Sequence, residues 1–530
     1  MAGRLAVDFG TSNTVLALWD EARREGVPQH IPDFGHMYGL PGDHQISVVP
    51  SLIHYCADRR QWIGNQVIQQ NLLESERTFR WMKRYVANRV PRAVRVDGRQ
   101  ISLVQAGRDF LSTVLLFAAQ EFDIGDEEIA LTVPVESFEH YGDWLAGVAD
   151  AAGMPRFRLI DEPSAAALGY GAHIQPGNVY LIFDFGGGTL DVAAVLIEEE
   201  AEARAGRRCR VLGKAGTELG GMNIDQWLFQ EVLRRNSRHD GDEDARRMSR
   251  VMLHQCEQAK ERLSFTERAG VSAVDFETGA ALSSEFTRDQ FEELLDQHDV
   301  FAQIDRTIRR VLNASRDLGY SEEDIRAVLM VGGSSFIPSV QRTVRRIFGQ
   351  ERVMLHRPLD AVARGAAAFV AGVDFYDHIQ HDYAIRHVNR SGDYEYRPIV
   401  PHGTPYPTSQ PIAQLQIKST YEGQTHLGIA IFEIGEQHRH GTTAPVELVF
   451  DASGAARVVQ VTPDEEERRA HFWMNETTPT FLTANPPAKQ GEPRFDVEFS
   501  VDGNKRLLIT ARDLSTNRLA LKDFPVVRLT

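Results

Sequence analysis

Leu5–Leu18 reads LAVDFGTSNTVLAL, and Leu181–Val195 reads LIFDFGGGTLDVAAV, which is a near-copy of the same pattern. Each copy runs from an apolar strand through Asp-Phe-Gly into a turn and then into a second apolar strand. Glycines permit a tight turn with no side chain in the way, and open turn amides can face phosphate oxygens. Two such hairpins facing each other would hold the phosphates of a nucleotide from both sides. Two ordinary hairpins are the alternative.

Both turns also carry side chains that suit phosphate and Mg²⁺. The candidate phosphate-binding residues are Gly10, Thr11, Ser12 and Asn13 in the first copy and Gly186, Gly187, Gly188 and Thr189 in the second. Asp8 and Asp184, which precede the turns, add the negative charge that suits hydrated Mg²⁺.

Two further glycine pairs follow along the chain. A predicted buried strand ends in Gly332-Gly333-Ser334 before a helix that begins near Pro338, and Gly220-Gly221 precedes the predicted helix 222–235. Two glycines let the backbone approach a ligand closely, and a helix N-terminus favours anionic groups. Each signal alone is also compatible with a simple turn before a helix.

A fifth candidate lies on a later helix. Glu257 and Lys260 occupy one helical face, and Ser264 follows one turn later. Taken by itself, the Glu257–Lys260 pair is more typical of a solvated surface contact than of a ligand site.

Composition excludes several classes of function. The 530 residues carry 58 basic and 74 acidic side chains, and this net charge of −16 argues against nonspecific nucleic-acid binding. The three cysteines, Cys56, Cys209 and Cys256, fit neither a zinc site nor a disulfide framework. The N-terminus enters a strand directly without a signal peptide, and no apolar run is long enough for a membrane helix. We therefore expect a cytoplasmic location, with neither nucleic acid nor membrane as a partner.

The hydrophobic pattern divides the chain into two regions. Residues 1–372 alternate strand-like and helix-like segments, which predicts a layered α/β domain, and the two glycine hairpins within it make it the candidate nucleotide-binding domain. Residues 383–530 show a period of two, as in AQLQIK at 413–418, which predicts antiparallel strands of an all-β domain. Residues 373–382 between them are predicted to form a linker.

The motifs VDFGTSNT, LIDEPSAAALGYG, FDFGGGTLDV and LMVGGSSFIPSVQ, in this order along the chain, resemble those of the actin-like ATPase superfamily. The sequence is most similar to the seventy-kilodalton heat-shock chaperones of the DnaK type, and the resemblance covers nearly the whole chain. It implies a two-lobed α/β domain that binds ATP in the cleft between its lobes, followed by a β-sandwich substrate-binding domain.

The resemblance also implies roles for individual residues. It assigns catalysis to Lys83, Glu162, Asp191 and Thr189, and the Mg²⁺ shell, through water, to Asp8 and Asp184. It assigns nucleotide binding to Gly10, Thr11, Ser12, Asn13, Gly186, Gly187, Gly188, Gly220, Gly221, Glu257, Lys260, Ser264, Gly332, Gly333 and Ser334. Without the resemblance, Lys83 would be interpreted as a surface lysine.

The sequence departs from the family pattern in several places. Glu261 and Phe336 stand where the family often has basic residues, and Met222-Asn223 replaces an acidic pair. These changes bear on adenosine affinity more than on phosphate chemistry. The connector DFYDHIQ lacks the family's leucine-rich run, so we expect modest coupling between the domains. The sequence ends at Thr530 in strand-like sequence, and we expect no helical lid.

The leading hypothesis is an ATP-binding chaperone that hydrolyses ATP slowly with Mg²⁺ and binds unfolded peptide or a partner protein in a nucleotide-linked way. A co-chaperone or a nucleotide exchange factor is an expected partner. The alternatives are a nucleotide-binding regulatory scaffold with little turnover and a small-molecule kinase of the same superfamily. The all-β region and the DEPSAA motif argue against the kinase. The sequence contains neither a P-loop motif nor the HRD loop of protein kinases.

Overall fold

The computed structural model describes residues 4–40, 44–88, 92–122, 124, 127–134, 139–154, 156–171, 175, 177–197, 207–372, 374–376, 379, 381–388, 394–404, 406, 408, 410–434, 446–450, 456–460, 471–476, 479–502 and 506–529. The chain divides into two compact units. The first comprises Met1–Val135, Asp143–Tyr376 and Ala444–Val461, and the second comprises Glu136–Gly142, Asp377–Thr443 and Thr462–Thr530.

The α-helices in this described part of the chain are α1 (Asn65–Gln69), α2 (Met82–Ala87), α3 (Leu103–Glu121), α4 (Glu139–Ala151), α5 (Glu162–Gly169), α6 (Gly221–Arg235), α7 (Glu243–Phe265), α8 (Arg288–Gln297), α9 (Val300–Asp317), α10 (Pro338–Phe348) and α11 (Ala361–Val370). Among these described helices, none is long and apolar enough to cross a membrane.

The strands are β1 (Leu5–Phe9), β2 (Asn13–Asp20), β3 (Glu25–Pro28), β4 (His36–Leu40), β5 (His44–Pro50), β6 (Ile53–Tyr55), β7 (Gln61–Ile63), β8 (Thr78–Phe79), β9 (Ala93–Val96), β10 (Arg99–Ser102), β11 (Ile129–Val133), β12 (Phe157–Asp161), β13 (Val179–Phe185), β14 (Leu190–Ile197), β15 (Arg207–Thr217), β16 (Arg268–Val274), β17 (Ala281–Thr287), β18 (Ile325–Val331), β19 (Val353–Met354), β20 (Asp374–Tyr376), β21 (Asp382–Val388), β22 (Tyr394–Val400), β23 (Ala413–Lys418), β24 (Gln424–Ile429), β25 (Ile431–Ile434), β26 (Val446–Phe450), β27 (Ala456–Gln460), β28 (His471–Trp473), β29 (Thr480–Ala488), β30 (Pro493–Val501), β31 (Arg506–Asp513) and β32 (Leu519–Arg528).

The duplication in the sequence is also a duplication in sheet topology. One sheet of the first unit, which we call sheet I, has the strand order β12-β11-β1-β2-β5-β4, with β3 paired to β2. The other, sheet II, has the order β19-β18-β13-β14-β15-β20. In each sheet an antiparallel hairpin, β1–β2 or β13–β14, lies beside a parallel strand, β11 or β18. Each Asp-Phe-Gly turn therefore occupies the same place in its own sheet.

The central strand β13 is largely apolar, with Asp184 near its end, because both of its faces are covered. All seven residues of β13 are buried, as expected for strands flanked by helices on both sides. Helices α5 and α11 pack against each other at two glycines. A Cβ at Gly169 would overlap the carbonyl oxygen of Ala361, and one at Gly365 would overlap that of Ala165. Only glycine permits the two backbones to approach this closely.

The second unit is built from antiparallel strands. Its described sheets have the orders β22-β21-β25-β28, β23-β30-β31-β32 and β24-β29. Alternate residues of β30, namely Phe495, Val497, Phe499 and Val501, are buried in one hydrophobic core. The predicted period-two strands are therefore confirmed. Strands β30 and β31 pair in an antiparallel register that runs from Phe495↔Asp513 to Val501↔Leu507.

The predicted linker contains a strand. Residues 374–376 form β20, which pairs in parallel with β15 at the edge of sheet II, and β21 already begins at Asp382. Within the described residues, part of the connector is thus ordered on the first unit by backbone pairing with β15.

Candidate nucleotide site

The two glycine turns face each other. A Cβ at Gly188 would lie 2.6 Å from the Thr11 hydroxyl oxygen, and one at Gly187 would lie 2.8 Å from the Ser12 hydroxyl oxygen. A side chain at either glycine would therefore force the turns apart. The predicted meeting of the two sequence copies is confirmed, with the hydroxyl groups of one turn set against the bare backbone of the other.

Each turn is held in shape by short hydrogen bonds. The Gly186 amide donates to the Thr189 carbonyl at 3.0 Å. The Ser51 hydroxyl donates to the Gly10 carbonyl at 2.8 Å, and the Ser51 amide donates to the Ser12 carbonyl at 2.8 Å. Ser51 was not recognised as a site residue from the sequence, because it lies just after a different strand, β5.

Four carboxylates interact with one another and with Lys83 at the ends of the hairpins. They belong to Asp8, Glu162, Asp184 and Asp191. Asp184 and Asp191 are direct cross-strand partners in the β13–β14 hairpin. The Lys83 ammonium group donates to the Glu162 carboxylate, and each side chain is only 8% exposed. Lys83 is therefore a buried residue of this cluster and not a surface lysine.

Burial controls the ionisation of this cluster. Burial raises the pKa of Glu162 to about 7, and Asp8 and Asp191 act in the same direction while Lys83 opposes them. Burial, followed by the charges of the other three carboxylates, raises the pKa of Asp184 well above its usual value. When ionised, the four carboxylates carry more negative charge than Lys83 alone can balance, which favours an additional cation.

The later glycine pairs meet the second turn. The Gly221 amide donates to the Gly186 carbonyl at 3.0 Å, and the Ser334 hydroxyl donates to the same carbonyl at 2.8 Å. A Cβ at Gly221 would lie 2.9 Å from the Lys260 ammonium nitrogen. A Cβ at Gly332 would lie 2.6 Å from a carboxylate oxygen of Asp184. The structure therefore brings the predicted residues of three separate motifs around one turn.

The interpretation of Glu257 and Lys260 as a solvated pair is wrong. The Glu257 side chain pairs with Arg80, and the Lys260 ammonium group lies 2.9 Å from the Asp225 carboxylate. All four side chains are at least 80% buried. Helix α7 packs against two other elements at this point, so neither residue is left in solvent to pair with the other.

These contacts are reflected in the ionisation of Glu257. Burial alone would raise the pKa of Glu257, but the charge of Arg80, a hydrogen bond with His254 and the charge of Lys260 together lower it below its usual value. Glu257 is therefore ionised at neutral pH.

Ser264 stands apart from the cluster, since its hydroxyl donates to the Lys260 carbonyl within the same helix at 3.2 Å.

Two departures from the family pattern also have partners. The Tyr38 hydroxyl hydrogen-bonds to Glu261, and this contact joins β4 to α7. The ring of Phe336 lies 5.6 Å from that of Phe265 at the end of α7. An acidic side chain and an aromatic pair thus occupy positions where the family often has basic groups.

Sequence reasoning missed Arg80, Asp225, Tyr38 and Ser51. A faint signal existed only for Asp225, which lies four residues after Gly221 and so on the same face of α6.

The donor set is compatible with Mg²⁺ held partly by water. Among the described residues, no group of three or more His, Cys, Asp or Glu side chains is arranged to hold a metal ion by itself. Mg²⁺ in nucleotide sites usually takes one or two carboxylates and completes its shell with water and phosphate oxygens. Asp8 and Asp184 on opposite hairpins, beside the glycine cradle, fit that requirement.

A protein-family model described as "Hsp70 protein" matches residues 141–433, which is more than half of the chain. The chain belongs to the Hsp70 family. Curated relatives agree with this assignment. "Heat shock 70 kDa protein BIP3" of Oryza sativa subsp. japonica is 28% identical over 97% of this chain and 74% of the relative.

Two bacterial relatives match over a similar extent. "Chaperone protein HscA homolog" of Bordetella petrii is 27% identical over 97% of this chain and 76% of the relative. "Chaperone protein DnaK" of Deinococcus proteolyticus is 26% identical over 98% of this chain and 78% of the relative. The resemblance stated from the motifs is confirmed, and with it the predicted architecture of an actin-like ATPase domain and a β-sandwich domain. This Hsp70 protein is a chaperone-type ATP-binding protein.

Proposed function

We propose that this Hsp70 protein binds Mg²⁺-ATP between its two glycine turns and hydrolyses it slowly. The observation that carries the proposal is the approach of Gly187 and Gly188 to Ser12 and Thr11, with the Lys83–Glu162 pair alongside. Hydroxyl groups and bare turn amides are the donors that phosphate oxygens need. We assign the substrate class as a nucleoside triphosphate because the two later glycine motifs bring Gly221 and Ser334 against the second turn, where a nucleoside joined to the phosphates would lie.

Phosphoryl transfer needs little covalent help, so positioning and charge neutralisation supply most of the rate. Lys83 would neutralise charge that develops on the γ-phosphate, and Glu162 and Asp191 would orient the attacking water. The Thr189 hydroxyl would donate to the γ-phosphate. Bound Mg²⁺ would supply further positive charge at the phosphates.

The remaining predicted residues would hold the nucleoside. We assign them to Gly220, Gly221, Glu257, Lys260, Ser264, Gly332, Gly333 and Ser334. Glu257 already binds Arg80, and Lys260 already binds Asp225, so a nucleoside would have to share or displace these ionic partners. This competition supports a modest affinity for the nucleoside part of ATP.

ATP with Mg²⁺ is expected to stabilise the first unit. At ~100 times its dissociation constant, a ligand that binds only the folded state adds about 2.7 kcal/mol to the free energy of unfolding. Differential scanning calorimetry with millimolar Mg²⁺-ATP, compared with Mg²⁺ alone, measures this effect. An unchanged melting temperature would contradict ATP binding. The matched control is Gly188→Val, in which the new side chain would collide with Thr11 and should abolish the shift.

A regulatory scaffold with little turnover is the second candidate. Two features of Glu162 favour it: burial raises the pKa of this carboxyl group, and its carboxylate is already paired with Lys83 instead of being open to a water molecule. Single-turnover hydrolysis distinguishes the two functions, since a scaffold would bind ATP and return it intact.

We further propose that the second unit binds unfolded polypeptide or a partner protein in a nucleotide-linked way, with co-chaperones or an exchange factor acting on the cycle in the cytoplasm. Family membership supports this assignment. The coupling should be modest, because the described part of the connector is held by backbone pairing of β20 with β15.

Release of a fluorescent apolar peptide should therefore be about fivefold faster with ATP than with ADP, which is the low end of typical allosteric coupling. Fluorescence anisotropy after addition of unlabelled peptide measures the two rates, and the nonhydrolysable ATP analogue serves as the control for turnover. Absence of binding across a set of apolar peptides would contradict the client-binding proposal, and acceleration beyond about 150-fold would contradict modest coupling.

A further inference from the structure

The carboxylate of Asp161 makes two contacts at the start of α5. One oxygen accepts a hydrogen bond from the Ser164 amide at 2.9 Å and so caps the helix. The other lies 2.5 Å from the ammonium nitrogen of Lys214. The Lys214 side chain is 2% exposed and that of Asp161 is 8% exposed. A single buried carboxylate thus both starts a helix and binds a cation from another element.

The next residue along the chain is Glu162, whose carboxylate is proposed to orient the attacking water. Asp161 is the N-cap of α5, with φ −70° and ψ 146°, and Glu162 is the first residue of the helix. Because the two residues share a peptide bond, the position of the Asp161 cap determines where the Glu162 side chain points. A displaced cap would move Glu162 relative to Lys83, its partner in the cluster.

The two lysines that hold these adjacent carboxylates come from different parts of the first unit. Lys214 lies on β15 of sheet II, opposite Ala193 of β14. Lys83 lies on α2, which packs on α3, and the Phe110 ring of α3 lies 6.0 Å from that of Phe9 in sheet I. Asp161, the last residue of β12 in sheet I, thus contacts a lysine of sheet II, whereas Glu162 contacts a lysine of α2.

Strand β15 has a second neighbour. It pairs with β20, the described strand of the connector, at Cys209↔Phe375 and Arg210↔Tyr376. Lys214 lies four residues after Arg210 on the same strand. The strand that holds the connector therefore also carries the cation that holds the cap before Glu162.

We propose that Lys214 is a positioning residue for ATP hydrolysis, which acts by holding Asp161 and thereby orienting Glu162 toward the γ-phosphate. The inference rests on the proposed ATPase function. Stability alone does not account for such a pair, because burying two charges costs about as much free energy as their attraction returns.

The test is a double-mutant cycle with Asp161→Asn, Lys214→Met and the double variant. Asparagine is as good an N-cap as aspartate, so Asp161→Asn keeps the start of α5. In single-turnover hydrolysis, the rate constant of Lys214→Met should fall by about 10–100-fold, the range expected for a small misplacement of a reacting group. The Kd for ATP should change far less. The double variant, which leaves no unpaired buried charge, should recover part of the rate.

The amplitude of the single-turnover reaction reports how much of the protein is folded, and its rate constant reports how well the catalytic groups are positioned. A variant that merely unfolds loses amplitude, because fewer molecules turn over, but the surviving molecules keep the parental rate constant. Arg494→Met is the matched control, since Arg494 and Asp513 form an ion pair of the same exposure, 2% and 8%, in the second unit. Its rate constant should equal that of the parent.

The outcomes distinguish this inference from the proposed function. If the parent hydrolyses ATP and both single variants keep its rate constant, the positioning role is overturned and the ATPase stands. If both single variants are slow and the double variant is slower by the product of their effects, Lys214 does not act through Asp161 and the inference is also overturned. If the parent binds ATP but does not hydrolyse it, the ATPase proposal fails, and the inference fails with it.

Discussion

Lys83→Ala is expected to slow single-turnover ATP hydrolysis by about 10²–10³-fold, the usual loss when a well-placed donor to developing charge is removed. The Kd for ATP should change much less, because the interaction strengthens as charge builds on the γ-phosphate. The buried position of Lys83 against Glu162 makes this assignment specific. Rapid-quench measurement with enzyme in excess over radiolabelled ATP gives the rate constant, and fluorescent ATP gives the Kd.

The control for Lys83→Ala is Arg309→Ala, which removes a cation from the exposed face of α9, where the arginine is 71% exposed. Its rate should match that of the parent. If the Thr189 hydroxyl acts on the γ-phosphate, Thr189→Ala should also hydrolyse ATP more slowly than the parent. A Lys83→Ala protein that hydrolyses ATP as fast as the parent would show that the lysine has no catalytic role.

The elements that could be predicted are those whose pattern is formed by residues close together in the sequence. An Asp-Phe-Gly turn with two apolar flanks is a local pattern, and its repetition at Asp8 and Asp184 was sufficient to predict two equivalent hairpins. The period-two strands of the second unit, such as β30, are also encoded locally, because alternate side chains meet the same core.

The ionic contacts of the site could not be predicted in the same way. Arg80 and Glu257 are 177 residues apart in the sequence, and no local spacing relates them. The same holds for Lys214 and Asp161, which are 53 residues apart. Helical spacing correctly placed Glu257 and Lys260 on one face, but it contains no information on which elements cover that face.

The connector shows a second reason why part of the fold could not be predicted from the sequence. Strand β20 has only three residues, too few for a period of two to stand out, and its backbone pairs with that of β15. Backbone pairing at a sheet edge depends on an available partner strand and hardly on side-chain type. For this reason, the strand inside the predicted linker could not be predicted from the sequence.

The crossing of α5 and α11 gives the largest expected effect on stability. Gly365→Ala places a Cβ where the carbonyl oxygen of Ala165 now lies, and Gly169 faces Ala361 in the same way. Backbone atoms cannot rotate away as a flexible side chain can, so the two helices must separate. Overpacking costs typically 1–3 kcal/mol, and we expect at least about 3 kcal/mol here.

Differential scanning calorimetry should show this loss as a lower midpoint for the transition of the first unit. The matched control is Gly270→Ala on β16, where a Cβ would meet nothing within 4 Å. That substitution should be neutral or slightly stabilising, because alanine loses less conformational freedom on folding than glycine. Since Ala165 lies one turn after the Asp161 cap, displacing α5 should also disturb Glu162, and Gly365→Ala should slow hydrolysis in the molecules that remain folded. A midpoint equal to that of Gly270→Ala would show that the helices can separate at no cost, and that their glycine contact is not what fixes α5.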